Sequence, residues 1–297
     1  MMLMQRQLID RVHDRVWREA GQWLACQPDI PEAAGSDMQS SSISAGMPWA
    51  DICAAFADGK IEHRNFRRTS AVRDIVETVG PVDGRFYARR IHAWGSEWLT
   101  HETITRLDTW GDPIRWPGFL LGTHRAFSPT TLRYLATALW LKRSGYLQAG
   151  AEIVEIGVGF GGLAAMNALV SGAITTLVDL PQVEHTALRM LHETGLGGHG
   201  RLSLERDQAS IPLVISNYAF TELSAASQES YFDRYLKSAT HGLIISNAAH
   251  FASTIRGRSD DMLVAWLREA GLPAKLEYRN DLLGPGDHLC GVSMIHW

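Results

Sequence analysis

The run Ile153-Val154-Glu155-Ile156-Gly157-Val158-Gly159-Phe160-Gly161-Gly162 constrains this chain more than any other part of it. A short β-branched stretch ends in closely spaced glycines and gives way to Leu163-Ala164-Ala165-Met166-Asn167-Ala168-Leu169, the pattern of a strand, a tight turn and a helix. Glycine is required in such a turn where φ is positive and where a side chain would hold the backbone off a ligand. A second apolar run ends in Leu177-Val178-Asp179. A carboxylate about 20 residues beyond the turn, at the tip of a second parallel strand, can accept hydrogen bonds from ribose hydroxyls.

The glycine spacing is G-x-G-x-G rather than the G-x-G-x-x-G of dinucleotide sites, and Glu155 precedes the first glycine. This wording resembles motif I of class I S-adenosylmethionine-dependent methyltransferases. The resemblance implies a Rossmann-like α/β fold with S-adenosylmethionine as cofactor. It also implies that Glu155 lies by the methionine portion, that Gly157, Gly159 and Gly161 face the cofactor, and that Asp179 holds the ribose. Leu180 and Asn217 complete the expected cofactor set. A nicotinamide cofactor is the competing ligand for a turn of this kind.

A length of 297 residues with 45% apolar content suits one large α/β unit with a smaller one attached. The net charge of −4, without a basic block, offers no electrostatic footprint for nucleic acid. No apolar run reaches the roughly 20 residues of a membrane helix, and Met1-Met2-Leu3-Met4 leads into Gln5-Arg6-Gln7 rather than a signal-peptide core. A cytosolic enzyme with a small-molecule acceptor is expected. Cys26, Cys53 and Cys290 show no C-x-x-C spacing, so packing rather than a metal centre is expected of them.

Residues 1–127 read as a helical unit that covers the active site or forms a homodimer, and residues 128–297 as the cofactor domain. Helical patterns run over Gln7 to Leu24, Trp49 to Ala57, Phe66 to Val79 and Arg85 to Arg106, with a Ser- and Gly-rich loop between Pro28 and Pro48. Six of the ten tryptophans lie between Trp17 and Trp110, consistent with an aromatic pocket or a helical interface. The turn-rich segment from Trp110 to Phe127 brings His124 and Arg125 forward as substrate contacts.

After Asp179 the chain reads as a helix from Pro181 to Thr194 and a third strand from Arg201 to Glu205, with Asp207 or Gln208 at its tip. A fourth strand follows at Leu213 to Asn217, a helix through Tyr231 to Leu236 and a fifth strand at Gly242 to Asn247. A helix from Ser259 to Ala270 precedes two last strands, Lys275 to Tyr278 and Gly291 to Trp297. An antiparallel final pair is the expectation for a seven-stranded methyltransferase sheet. From Thr130 to Trp297, Ile215-Ser216-Asn217-Tyr218-Ala219-Phe220-Thr221-Glu222-Leu223 and the glycine turn together resemble the sugar O-methyltransferase family of bacterial natural-product pathways. That resemblance implies methyl transfer to a hydroxyl, with transfer to a small amine as the alternative. A hydroxyl needs a base within hydrogen-bond reach, and Glu222, His250 and His288 stand near strand ends, with Tyr218 as a positioning group. Asp260-Asp261 reads as a helix N-terminus rather than a metal site.

Overall fold

The computed structural model describes residues 48–117, 125–205 and 210–297. Seven strands form one sheet: β1 Glu152–Ile156, β2 Ile174–Val178, β3 Gly200–Leu202, β4 Ile211–Asn217, β5 Ala239–Ser246, β6 Lys275–Glu277 and β7 Ser293–His296, in the order β3-β2-β1-β4-β5-β7-β6. The first five are parallel, while β7 enters antiparallel between β5 and β6. Strand order reverses between β1 and β4, so a crevice opens at their carboxyl ends. The central strands read as apolar runs because both faces of a parallel sheet are covered.

One face carries α4 (Pro129–Arg143), α5 (Gly162–Ser171) and α6 (Pro181–Glu193); these follow α1 (Pro48–Ala57), α2 (Pro81–Gly95) and α3 (Glu102–Thr109) in the chain. The opposite face carries α7 (Ala225–Tyr231), the π-turn Phe232–Leu236 and α9 (Asp260–Glu269). Between them in the chain, α8 (Ala248–Ile255) follows β5, and α10 (Pro285–Leu289) joins β6 to β7. Side chains alternate along β1: Ile153 packs with the α4–α6 layer, and Val154 and Ile156 with the α7–α9 layer.

The expected helix from Phe66 to Val79 is instead a 3-10 turn, Phe66–Arg68, and a single helical turn, Ser70–Arg73. Arg67 is drawn inward at 1% exposure and its backbone N–H bonds to the Gly111 carbonyl, which breaks the helical ladder. The expected helix from Arg85 to Arg106 is two helices, α2 and α3, separated by the 3-10 segment Ser96–Thr100. A Cβ on Gly95 would stand 2.8 Å from the Trp98 ring, so the break depends on glycine. The expected Gln7–Leu24 helix and the Pro28–Pro48 loop lie outside the described residues, apart from Pro48 at the start of α1.

The helices before residue 128 share a core with the sheet layer. Trp49, Phe56, Phe66 and Trp110 belong to the same buried cluster as Phe160, Leu163 and Met190. Arg67 knits the junction: Nε donates to Glu77 at 2.5 Å and Nη2 to Ser128 Oγ at 3.0 Å, while its guanidinium lies 4.7 Å from the centre of the Phe160 ring.

Candidate active site

The glycine turn after β1 takes the conformation its residues permit. Gly157, Gly159 and Gly161 have φ of 79°, 54° and 89°, in the left-handed region that favours glycine. Gly157 is also a point of closest approach: a Cβ there would fall 2.0 Å from the Ala219 Cβ. Asp179 closes the turn from the tip of β2, where Oδ2 accepts from Val158 N–H at 2.9 Å and Oδ1 from Leu180 N–H at 2.8 Å. Burial nonetheless pushes its carboxyl up to about 7, against the backbone hydrogen bonds that favour the charged form. A cavity of about 270 Å³ opens beside Asp179, lined by Glu184, Ser203, Tyr231 and Arg234 among others.

Glu155 stands on β1 below this turn, 2% exposed, with Oε2 buried and without a hydrogen-bond partner. Its carboxyl is raised well above the usual range, chiefly by burial and then by the nearby Asp179. A buried, unpartnered acceptor is costly unless something supplies a donor. Positive-φ glycines, a strand-tip acid and an orphaned carboxylate thus converge at the carboxyl end of β1, the place an α-amino-acid nucleoside would require them.

Beside it lies a second cluster. Tyr218 follows β4 with φ 76° and ψ −43°, an unusual backbone for a bulky residue. Its hydroxyl donates to Asp287 Oδ1 at 2.7 Å, and the Tyr87 hydroxyl from α2 donates to Oδ2 at 2.9 Å. Asp83, one turn before Tyr87, accepts from Gly286 N–H at 2.7 Å. Its carboxyl is pushed up to about 7 by burial and by the charge of Asp287. A Cβ on Gly286 would stand 2.3 Å from Asp83 Oδ2, and one on Gly284 2.5 Å from Oδ1, so the glycines of Gly284-Pro285-Gly286-Asp287 admit α2. Arg133 of α4 lies over the rings of Tyr218 and Tyr134 at 5.1 and 5.4 Å.

Of the residues singled out from sequence, the structure gathers Glu155, Gly157, Gly159, Gly161, Asp179 and Leu180 around the turn. Asn217 ends β4, and Tyr218 follows it. Glu222 lies in the 3-10 turn after β4, not in the following helix, and its Oε1 accepts from Asn247 Nδ2 at 2.6 Å. Burial raises its carboxyl, against that hydrogen bond. The expected imidazole bases take other positions: His250 is exposed on α8 with Nε2 at the Cys290 carbonyl, and His288 is exposed on α10. Arg125 bonds to the Leu99 carbonyl at 2.8 Å and lies over Phe127, a contact that ties its loop to the helical layer. His124, Asp207 and Gln208 lie outside the described residues. Asp260 begins α9 and accepts from Ser293 Oγ at 2.7 Å and from Ser246 Oγ. Sequence reasoning missed Asp83, Tyr87, Arg133 and Asp287; the paired glycines before Asp287 were the one available signal.

An all-parallel dinucleotide sheet ends 4-5-6, whereas this sheet ends 4-5-7-6 with β7 antiparallel. The fold is that of the class I methyltransferases. No family model matches the chain, and no curated protein matches it. Among solved structures it is similar to phospholethanolamine N-methyltransferase 2 of Haemonchus contortus, a complex with S-adenosylhomocysteine, at 20% identity and a TM-score of 0.39, over 48% of this chain and 38% of that one. An O-methyltransferase of neocarzinostatin biosynthesis, in complex with S-adenosylmethionine, is similar at 16% identity and 0.39, over 57% of each chain. The geranyl diphosphate C-methyltransferase of Streptomyces coelicolor A3(2) is similar at 14% and 0.43, over 71% of this chain and 96% of that one. The chain therefore spans little more than a third of the length of the first of these methyltransferases. Among the described residues no helix is long and apolar enough to cross a membrane.

Proposed function

We propose that the protein is an S-adenosylmethionine-dependent methyltransferase that acts on a hydroxyl of a sugar or related small metabolite. The observation that carries this reading is Glu155: a buried carboxylate with an unpartnered oxygen, set beneath three positive-φ glycines and beside the strand-tip Asp179. These residues fit the cofactor, with Asp179 for the ribose and Glu155 for the amino-acid portion. When bound, S-adenosylmethionine supplies a sulfonium methyl for in-line displacement, which leaves the protein mainly to align the acceptor and manage its proton.

Asp83 is the base in this account, because a carboxyl held near 7 accepts a proton at neutral pH better than an ordinary one. Tyr218, Tyr87 and Asp287 position the acceptor; a carboxylate flanked by phenols can take the hydrogen bonds of a polyol. Methylation of a small amine is the second reading, favoured by the two neighbouring carboxylates Asp83 and Asp287, which would hold its ammonium and take the proton that must leave before the neutral nitrogen attacks the methyl group.

The test is transfer of a labelled methyl group from S-adenosylmethionine to a panel of sugars, phenols and amines, with products read by mass. Gain of a methyl on a hydroxyl, with turnover reduced about 100-fold or more in Asp83→Asn, is the expected result. Methylation confined to amines would replace the preferred reading with the second. Turnover of hydroxyl acceptors undiminished in Asp83→Asn would remove Asp83 as base.

A further inference from the structure

The hydrogen bonds of the cluster beside the glycine turn all run one way. Asp287 accepts from the Tyr218 hydroxyl at 2.7 Å, from the Tyr87 hydroxyl at 2.9 Å and from Gly284 N–H at 2.8 Å. A phenol has one proton, so both hydroxyls have committed theirs to Asp287 and present only lone pairs to anything else. Bonds from a hydroxyl to a carboxylate are among the strong ones, which keeps those protons turned inward. Asp83 faces a ligand in the same sense: Oδ1 accepts from Gly286 N–H at 2.7 Å, and its second oxygen is a further acceptor. Tyr87 is buried, whereas Asp83 and Tyr218 are half-buried and can meet a ligand. Gly286 and Asp287, which hold them, are consecutive residues of α10, so the two are neighbours.

The cluster also has its own cation. Arg133 lies 5.1 Å from the centre of the Tyr218 ring, and its charge acts on Asp83 and on Asp287. With that charge in place the carboxylates do not require an ammonium from the ligand; what the face lacks is protons. Nor can Tyr218 readily turn away. Its backbone N–H donates to the Ile245 carbonyl at 2.9 Å and its carbonyl accepts from Thr221 N–H at 3.0 Å, which fixes the strained φ of 76° from both sides. The complement of this face is a ligand with two neutral donors on neighbouring atoms. A ketone or an ether would set lone pair against lone pair and leave an acceptor of the protein unpaired.

We propose that the acceptor is a vicinal diol, of which one hydroxyl lies at Asp83 and is methylated while its neighbour donates to the Tyr218 hydroxyl oxygen, so that the protein adds a single methyl group to the pair. This rests on the hydroxyl reading above. The reacting oxygen forms a bond to the methyl carbon, its proton passes to Asp83, and the electron pair of the broken carbon–sulfur bond stays on sulfur as the thioether. The product's ether oxygen has no proton left. It cannot take the place at Tyr218 that a second methylation would demand of it.

The test uses the methyl glycosides of glucose, galactose and mannose as acceptors, each with its monodeoxy and mono-O-methyl derivatives, with products read by mass and kcat/KM determined for each. The product is expected to carry one new methyl group. Removal or prior methylation of the hydroxyl beside the reacting one should lower kcat/KM about tenfold to a hundredfold, as for a site whose polar group is left unpaired. Tyr218→Phe, which has no lone pair there, should bring the diol and its deoxy analogue close to equality. Equal wild-type kcat/KM for the two, or accumulation of a dimethyl product, would overturn the proposal even if Tyr218→Phe fails to fold, and would leave the hydroxyl reading standing. So would a Tyr218→Phe enzyme that keeps the full wild-type preference. Transfer to none of the glycosides would overturn the sugar-hydroxyl reading together with this one, which separates the two failures.

Discussion

Four carboxyls of the site, Glu155, Asp179, Asp83 and Glu222, are raised by burial and so make it sensitive to pH. Asp179 and Asp83 are each raised from 3.8 to about 7, first of all by burial. Between roughly pH 4 and 7 the folded protein keeps protons that the unfolded chain has released, so stability is greatest at the acid side of that window and falls as pH rises through 7. Each such group contributes a slope of about 1.4 kcal/mol per pH unit there. Asp179→Asn should therefore show a shallower loss of thermal stability from pH 5 to 8 and a higher Tm than the wild type at pH 8. The same variant should bind S-adenosylmethionine at least about tenfold more weakly if Asp179 holds the ribose, because one of its two acceptor oxygens becomes an NH2 donor and the charge is lost. Melting curves with identical pH dependence in the two proteins would contradict the burial of this charge. At this scale the sequence was most legible where geometry is dictated by backbone. Gly157, Gly159, Gly161 and Asp179 are recognisable because positive φ and strand-tip position restrict what can stand there. Asp83, Tyr87 and Arg133 were illegible because nothing local to α2 or α4 distinguishes a buried polar side chain aimed at a site from one on a solvated face.

The acceptor side depends on how two elements dock. α2 meets α10 through Asp83 and Tyr87, residues one helical turn apart on one face, against Gly286 N–H and Asp287. Contact is close because Gly284 and Gly286 lack side chains. Gly286→Ala would place a methyl into the Asp83 carboxylate, and overpacking of this kind costs about 1–3 kcal/mol. Gly198→Ala, which meets nothing within 4 Å, serves as the control with a change of less than about 0.5 kcal/mol. Denaturant melts that give equal midpoints for the two variants would show that α2 is not anchored there. The strands and the helices α4, α5, α6 and α9 were legible from apolar periodicity and glycine punctuation, whereas α8 and α10 were not read as helices and the strand expected from Arg201 to Glu205 is Gly200–Leu202 followed by a 3-10 turn, Ser203–Glu205. The two misread helical stretches failed for tertiary reasons: Arg67 turns inward to pair with Glu77, and Gly95 yields to Trp98.

Across the whole molecule, the helices before residue 128 and the sheet behind them act as one body of packing. Trp110 stacks on Phe160 of the glycine turn at 5.8 Å and donates to Glu193 at 2.9 Å, and Val76 stands over Gly159. Of the six tryptophans between Trp17 and Trp110, Trp49 and Trp110 belong to the buried cluster and Trp110 joins the helical layer to the turn, while Trp17 and Trp23 lie outside the described residues. The division at residue 127 follows a change in sequence pattern, yet the buried cluster crosses it without a gap. A ligand seated on the turn would therefore report on the whole fold. The central claim is that this turn binds S-adenosylmethionine, and it is tested most directly by calorimetric titration of the intact protein with S-adenosylmethionine, S-adenosylhomocysteine and NADH. Micromolar binding of the two sulfur compounds and none of NADH is predicted. Binding of NADH alone, or of none of the three, would contradict the account.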